Sequence, residues 1–164
     1  MANIVSATAM VVSKDKETID KVIKIFKGED NEFCLYGCYG DAFEIYEEDG
    51  FHIAMLDVSA SYHIEGLFNG NEKKLDNGKQ LTNLIFLSNH LGFGIEIYAS
   101  EGGCGFAEHY SVNVNGELIY NETSEYAEKY PLDKNGEIDY EAEPTIECDF
   151  EMNDFSKPNE IYEG

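Results

Sequence analysis

Arginine is absent from this chain: its 11 cationic side chains are all lysine, set against 33 acids, for a formal net charge of −22 over 164 residues. Phosphate binding rests on Lys and Arg, and the reading of base edges rests largely on the arginine fork, so direct binding of DNA or RNA is not expected. An anionic membrane surface repels such a chain for the same reason. No run of about 18 apolar residues occurs, so no helical membrane span is expected. The opening Met1-Ala2-Asn3-Ile4-Val5 has no charged segment ahead of an apolar one, and it reads as a strand, not an export signal. Cysteine is scarce too. Cys34, Cys38, Cys104 and Cys148 are too few and too scattered for a disulfide scaffold, which points to a reducing cytoplasm. What is present suffices for a core: 43% hydrophobic and 13% aromatic residues exclude general disorder, and the length predicts one domain.

Residues 3–13 read as a buried first strand, with Ile4-Val5 and Met10-Val11-Val12 separated by small residues. Asp15 then offers an N-cap and Glu17 a negative charge in the first turn, where the helix dipole is positive. Ile19, Val22, Ile23 and Phe26 follow at helical spacing, and Gly28 supplies a stop after Lys24 and Lys27. The pattern then changes to strands. Phe43-Glu44-Ile45-Tyr46-Glu47-Glu48 runs into Asp49-Gly50, a strong hairpin signal, and returns through residues 51–58, apolar on both faces and so central in a sheet. In a second helical window Leu81, Leu84, Ile85, Ser88 and Leu91 share a face, with Gly92 and Gly94 as the stop. Residues 95–98, 106–114 and 117–120 are further strands, the last pair joined by Asn115-Gly116. The order strand, helix, strand, strand, helix, strand is that of a split βαβ, ferredoxin-like antiparallel sheet with its helices on one face, an α+β arrangement.

The block Leu91-Gly92-Phe93-Gly94-Ile95-Glu96-Ile97-Tyr98, the segment from Glu101 to Tyr110, and Asn115-Gly116-Glu117 together carry a resemblance. They resemble the C-terminal half of the YubB-like ferredoxin-like domains, small proteins of plasmids, phages and other mobile elements. Asp57-Val58-Ser59-Ala60-Ser61-Tyr62-His63-Ile64 is similar to their segment after the central strand, although the tryptophan expected there is missing. The resemblance spans residues of about 4–120, implies a fold and a mobile-element context, and carries over no catalytic residue.

Charge is unevenly spread. Residues 1–116 hold 18 acids and 8 lysines, for −10, whereas residues 117–164 hold 15 acids and 3 lysines, for −12. Glu137, Asp139, Glu141 and Glu143 recur at period two around Ile138, Tyr140 and Ala142; after Pro144 the alternation resumes with Glu147, Asp149 and Glu151. As strands, these would bury an apolar face and present carboxylates about 6.8 Å apart, twice the charge spacing along one DNA strand. The bland reading is an edge strand made soluble by charge. The sharper one is a nucleic-acid-mimicking surface, since like charges facing each other across strands cost stability and mixed signs would serve solubility as well. The expected organisation is an α+β domain over residues 1–120, acidic strands over 121–152 that pack on or extend the sheet, and a flexible acidic tail over 153–164.

Other chemistry is weakly signalled. Asp133, Asn135, Gly136 and Asp139 imitate the middle of a calcium loop, but Pro131 and Ala142 occupy its first and last ligand positions, so an Asn-Gly turn is the better reading. Cys34 and Cys38 form one cysteine pair without a second, and read as free thiols. Cys104 and His109 are conceivable as a nucleophile and base, yet no orienting third group or oxyanion arrangement is recognisable. His52, His63, His90 and His109 are well separated and read as structural. Tyr120, Tyr126, Tyr130 and Tyr140 lie amid the acids, and tyrosine is a favoured interface anchor.

The expectation is therefore a non-enzymatic binding protein with no cofactor and no metal. Its acidic surface would block the basic groove of a nucleic-acid-binding protein, such as a defence nuclease or CRISPR effector. The expected contact residues are Glu137, Asp139, Tyr140, Glu141, Glu143, Glu147, Asp149 and Glu151, with Glu44, Glu47, Glu48 and Asp49 on the hairpin. Three alternatives stay open: an immunity protein for a basic toxin nuclease, an enzyme using Cys104 and His109, and a protein whose acidity is incidental.

Overall fold

The apolar run that opens the chain folds as β1 (Ile4–Ser13), and its alternation decides which residues face which layer. Val5, Ala7, Ala9 and Val11 are buried on one face and Val12 on the other. This computed structural model describes residues 4–103 and 105–164. After β1 come α1 (Lys16–Lys27), β2 (Phe33–Leu35), β3 (Cys38–Glu48), β4 (Phe51–Ser61), α2 (Glu65–Asn69), β5 (Lys73–Lys74), β6 (Gln80–Thr82) and α3 (Leu84–Leu91). β7 (Gly94–Glu101), β8 (Phe106–Val112), β9 (Leu118–Glu125), β10 (Ala127–Lys129), β11 (Thr145–Glu147) and α4 (Pro158–Glu163) complete the chain. The molecule is α+β. Its main sheet has the order β3-β4-β1-β7-β8-β9, with every neighbouring pair antiparallel.

Local signals explain several elements. The Asp15 carboxylate accepts the Glu17 N–H at 2.9 Å to start α1, and Gly28 ends it at φ 76°, a conformation an L side chain adopts only at a cost. Ile19, Val22, Ile25 and Phe26 are its buried residues; each fully buried side chain of this size contributes about 1.5–3 kcal/mol by removal from water. Asp49 and Gly50, at φ 52° and 83°, form the expected two-residue turn between β3 and β4. The second helix window begins later than expected. Asn83 caps α3 by accepting the Phe86 N–H at 2.8 Å, and Leu81 instead lies in β6, paired in parallel with β2. Gly92 is the helix stop, at φ 84°.

The helices do not all share one face. Ile64, Leu67 and Phe68 around α2 join residues of α1 and α3 in the large core on the first face. On the opposite face Ile161 of α4 packs with Val12, Phe51 and Ile53. β4 is apolar on both faces, so its second face needs a cover, and the C-terminus supplies it. Gly94, expected as a helix stop, lies at the start of β7, where a Cβ would collide with the Ile161 carbonyl. Segment 153–164, expected as a flexible tail, is thus tied down. The Tyr162 carbonyl accepts the Val114 N–H at 2.9 Å, and the Glu163 carbonyl accepts from Asn113 Nδ2 at 3.1 Å.

The acidic segment also departs from expectation. β9 runs on to Glu125 and forms the sixth strand of the sheet, so the expected boundary at residue 120 falls inside an element. Residues 137–143 are not a strand: a single bridge joins Leu132 to Ile138, and turns flank it. The cause lies in two aspartates that satisfy backbone N–H groups locally. Asp133 Oδ1 accepts from Asn135 and Glu137, and Asp139 Oδ1 accepts from Glu141, which holds the chain in turns in place of a ladder. β11 is a three-residue strand pairing only with β10, and Asp149 and Glu151 lie beyond it in irregular chain.

Candidate functional site

The residues expected to bind a partner fall into two separated groups. Glu44, Glu47, Glu48 and Asp49 lie on β3 and its turn, at one edge of the sheet, and all are exposed. Glu47 meets His52 Nδ1 at 3.3 Å. The C-terminal acids follow β9, at the other edge, and five strand spacings of about 4.8 Å put roughly 24 Å between those edges. The sheet does not bring the groups together.

Within the C-terminal group, Glu137, Glu141, Glu143, Glu147, Asp149 and Glu151 are exposed, and Asp139 is half-buried in its turn. Glu147 is neutralised in part by Lys129 at 2.8 Å. The interleaved apolar residues are exposed as well: Ile138 at 51%, Tyr140 at 72% and Ile146 at 45%, with Leu132 at 65%. The regular carboxylate row over a buried apolar face is therefore not formed. What forms is a patch in which Leu132 bridges to Ile138 and the Tyr130 and Tyr140 rings meet at 5.3 Å, surrounded by carboxylates. Nearby Glu128 pushes the Tyr130 phenol above its ordinary range, so that hydroxyl stays neutral amid negative charge.

The chain that leaves the patch is anchored. Phe150 packs against Tyr98 and His109, Asp149 N–H donates to Ser124 Oγ at 2.8 Å, and the Asp154 carbonyl accepts the Tyr98 hydroxyl at 2.8 Å. Glu96, fully buried on β7, accepts Ser156 N–H at 2.7 Å, Ser156 Oγ at 3.0 Å and His109 Nε2 at 3.1 Å. His109 Nδ1 donates to Glu122 at 2.8 Å. With a carboxylate on each nitrogen, both nitrogens donate and the ring is an imidazolium. Burial alone disfavours that charge, but the hydrogen bonds His109 donates to Glu96 and Glu122 outweigh it and raise its pKa above the usual value. Tyr98 and Tyr120 sandwich the ring at 4.1 and 4.5 Å. Every polar position of His109 is used, so the group clamps the C-terminal segment to the sheet and offers no free base.

A second histidine–carboxylate pair lies on the other face of the same strand. Glu108, 1% exposed, accepts His63 Nδ1–H at 2.6 Å and the Ile64 N–H at 3.0 Å. His63 has a side chain 57% exposed and leans on Phe106 at 4.6 Å between ring centres. It follows Tyr62, held at φ 67°; a non-glycine residue there costs about 1–3 kcal/mol, of the kind stored at ligand sites. His63 borders a cavity of about 280 Å³ lined also by Tyr36, Ser61, Leu67, Asn71 and Thr82.

No family model, curated protein or solved structure matches this chain. Cys104 lies outside the described residues, so the Cys104/His109 idea is carried by His109 alone, whose nitrogens are already committed. Burial, with Cys34 beside it, pushes the Cys38 thiol up to about 12, which makes it a poor nucleophile. Among the described residues no group of three or more His, Cys, Asp and Glu could hold a metal. The Asp133–Glu137 turn, with Gly136 at φ 80°, closes on itself through the Asp133 N–H to the Glu137 carbonyl at 2.7 Å.

Sequence reading missed His63, Glu96, Glu108 and Glu122 as a set. A signal existed. Glu96 sits between isoleucines in a strand that is central by its apolar content, and Glu108-His109 are adjacent in a strand, so one of them must face the core.

Proposed function

We propose that this protein works by binding, presenting the acidic surface of residues 128–151 to a basic protein whose own ligand is nucleic acid. The observation that carries this reading is the anchoring of that surface. Pairing of β10 with β11 ties the start of this segment, and the Asp149–Ser124 hydrogen bond with the buried clamp on Ser156 ties its end to the sheet, so the loop that carries the exposed Leu132, Ile138 and Tyr140 is closed at both ends and has less ordering entropy to lose on binding. The net charge of −22 speeds encounter with a basic partner, and the exposed tyrosine and leucine supply the apolar anchors that charge alone lacks. The ferredoxin-like fold and the mobile-element context belong to the same proposal. The β3-β4-β1-β7 part of the sheet, with α1 and α3 on one face, supports the former, β8 and β9 being additions. The latter makes a defence nuclease or CRISPR effector the expected class of partner.

The test is interferometry against a panel of basic bacterial nucleases and CRISPR effectors, with duplex DNA as competitor. At least one panel member should bind, release the protein on adding DNA, and fail to bind at about 0.5 M salt, where charges are screened beyond a few Å. Combined Glu137→Lys, Glu141→Lys and Glu143→Lys should weaken binding at least tenfold. Undiminished binding by that variant moves the contact elsewhere, and no DNA-competed binding by any member overturns the reading.

A further inference from the structure

We propose that the cleft beside His63 binds a small, uncharged aromatic molecule bearing an O–H or N–H donor, a phenol or N–H heterocycle, through a hydrogen bond to His63 Nε2. The inference is independent of the acidic surface and uses none of its residues.

Glu108 is buried and accepts at one oxygen from Nδ1 of His63 and at the other from the Ile64 N–H. A carboxylate in that place fixes the neutral imidazole as the Nδ1–H form, which leaves Nε2 as an acceptor. That nitrogen makes no hydrogen bond among the described residues, and its ring is the exposed member of the pair. An acceptor held in one orientation, on a ring that borders this cavity and a second one lined by Phe106, Thr123 and Glu125, and without a hydrogen bond among the described residues, is a group prepared for a donor.

The cavity selects the rest of the ligand. At about 280 Å³ it lies near the lower end of small-molecule sites, with room for on the order of ten non-hydrogen atoms. None of its lining side chains is a lysine or a carboxylate, and the whole chain is strongly negative, so anions are disfavoured. Cations find no charged partner, because the carboxylate behind His63 is already engaged twice. Leu67, Leu81 and Ala60 give apolar walls and Tyr36, 80% exposed, a ring at the rim. Gly66 also lines the cavity, and a Cβ there would meet nothing within 4 Å. A planar neutral body with one donor suits this lining.

The probe is para-cresol, with para-methylanisole as the form whose donor is methylated, titrated into the full 15N-labelled chain at about pH 8, above the ordinary histidine range. Long-range nitrogen spectra should show His63 as the Nδ1–H tautomer before addition. Para-cresol should then shift His63 Nε2 and the Gly66, Leu67 and Thr82 amides saturably, with a Kd of about 1 mM or tighter, and para-methylanisole should bind at least tenfold more weakly. Gly66→Leu, whose side chain enters open space and so preserves the fold, should abolish the shifts. His63→Phe keeps a ring against Phe106 and should reduce para-cresol to the level of the methylated form. The proposal is overturned if His63 is the Nε2–H tautomer, if the two probes bind equally, if no saturable shift occurs, or if Gly66→Leu binds as well as the parent chain.

Discussion

Glu108 and His109 are neighbours on one strand, yet they belong to two histidine–carboxylate units with opposite characters. On one face of β8, His109 is buried between Glu96 and Glu122 and both nitrogens are spent. On the other, Glu108 is the buried partner and His63 the exposed one, with Nε2 making no hydrogen bond among the described residues. The residue types are the same; burial of the ring decides the role. A buried imidazole between two carboxylates is a charge-compensating tie whose loss strands a carboxylate, whereas an exposed imidazole on a buried carboxylate is an oriented group with a free edge.

The comparison is broken most directly at His109. His109→Leu leaves Glu96 buried without its counter-charge, and unfolding in urea should show a loss of about 3–5 kcal/mol. A loss below 1 kcal/mol would mean that Glu96 does not depend on this ring. Next in size is Gly94→Ala. The added Cβ displaces the α4 backbone, which should cost about 1–3 kcal/mol and open the chain near residues 153–164 to protease well before the sheet unfolds. A parent-like digestion pattern would show that the C-terminal helix is not held at this point.

A smaller effect follows pH. The folded chain binds the His109 proton more tightly than the unfolded chain, whose value is near 6.5. The contribution of this site is therefore complete below about pH 6.5 and is lost as pH rises through the folded value. Urea midpoints of the parent chain should fall over that alkaline limb relative to those of His109→Leu, whose profile lacks this component. Parallel profiles would remove the imidazolium from the account. The smallest effect is expected at His63. His63→Ala removes one hydrogen bond from Glu108 while the Ile64 N–H stays and water can enter the exposed site, so the cost should be about 1 kcal/mol or less. A cost rivalling that at His109 would erase the distinction between the two units.

Legibility followed the range of the interactions involved. Asp15, Gly28 and Asp49-Gly50 act within a few residues of themselves, so α1 and the β3–β4 turn could be read directly. Glu137 to Glu143 could not, because alternation is only a permission to form a strand. Among the described residues no strand pairs with residues 140–143, and the nearby Asp133 and Asp139 carboxylates offered the backbone turns instead. Charge count identified an acidic C-terminal third correctly but assigned it the wrong shape. The two histidine units were hidden for another reason: His63 and Glu108 are separated by 45 residues, and Glu96 and Ser156 by 60.

Composition and contacts a few bonds long were enough to set the sign of the surface, the first helix, the two-faced burial of β4 and the tight turns. Long-range packing was needed to lay the last dozen residues on the second face of the sheet, to stand the acids on turns, and to leave His63 Nε2, unlike either nitrogen of His109, without a hydrogen bond among the described residues. Those outcomes depend on whether a side chain in one strand finds a partner in a distant one, and desolvation makes that partner obligatory once the carboxylate is buried.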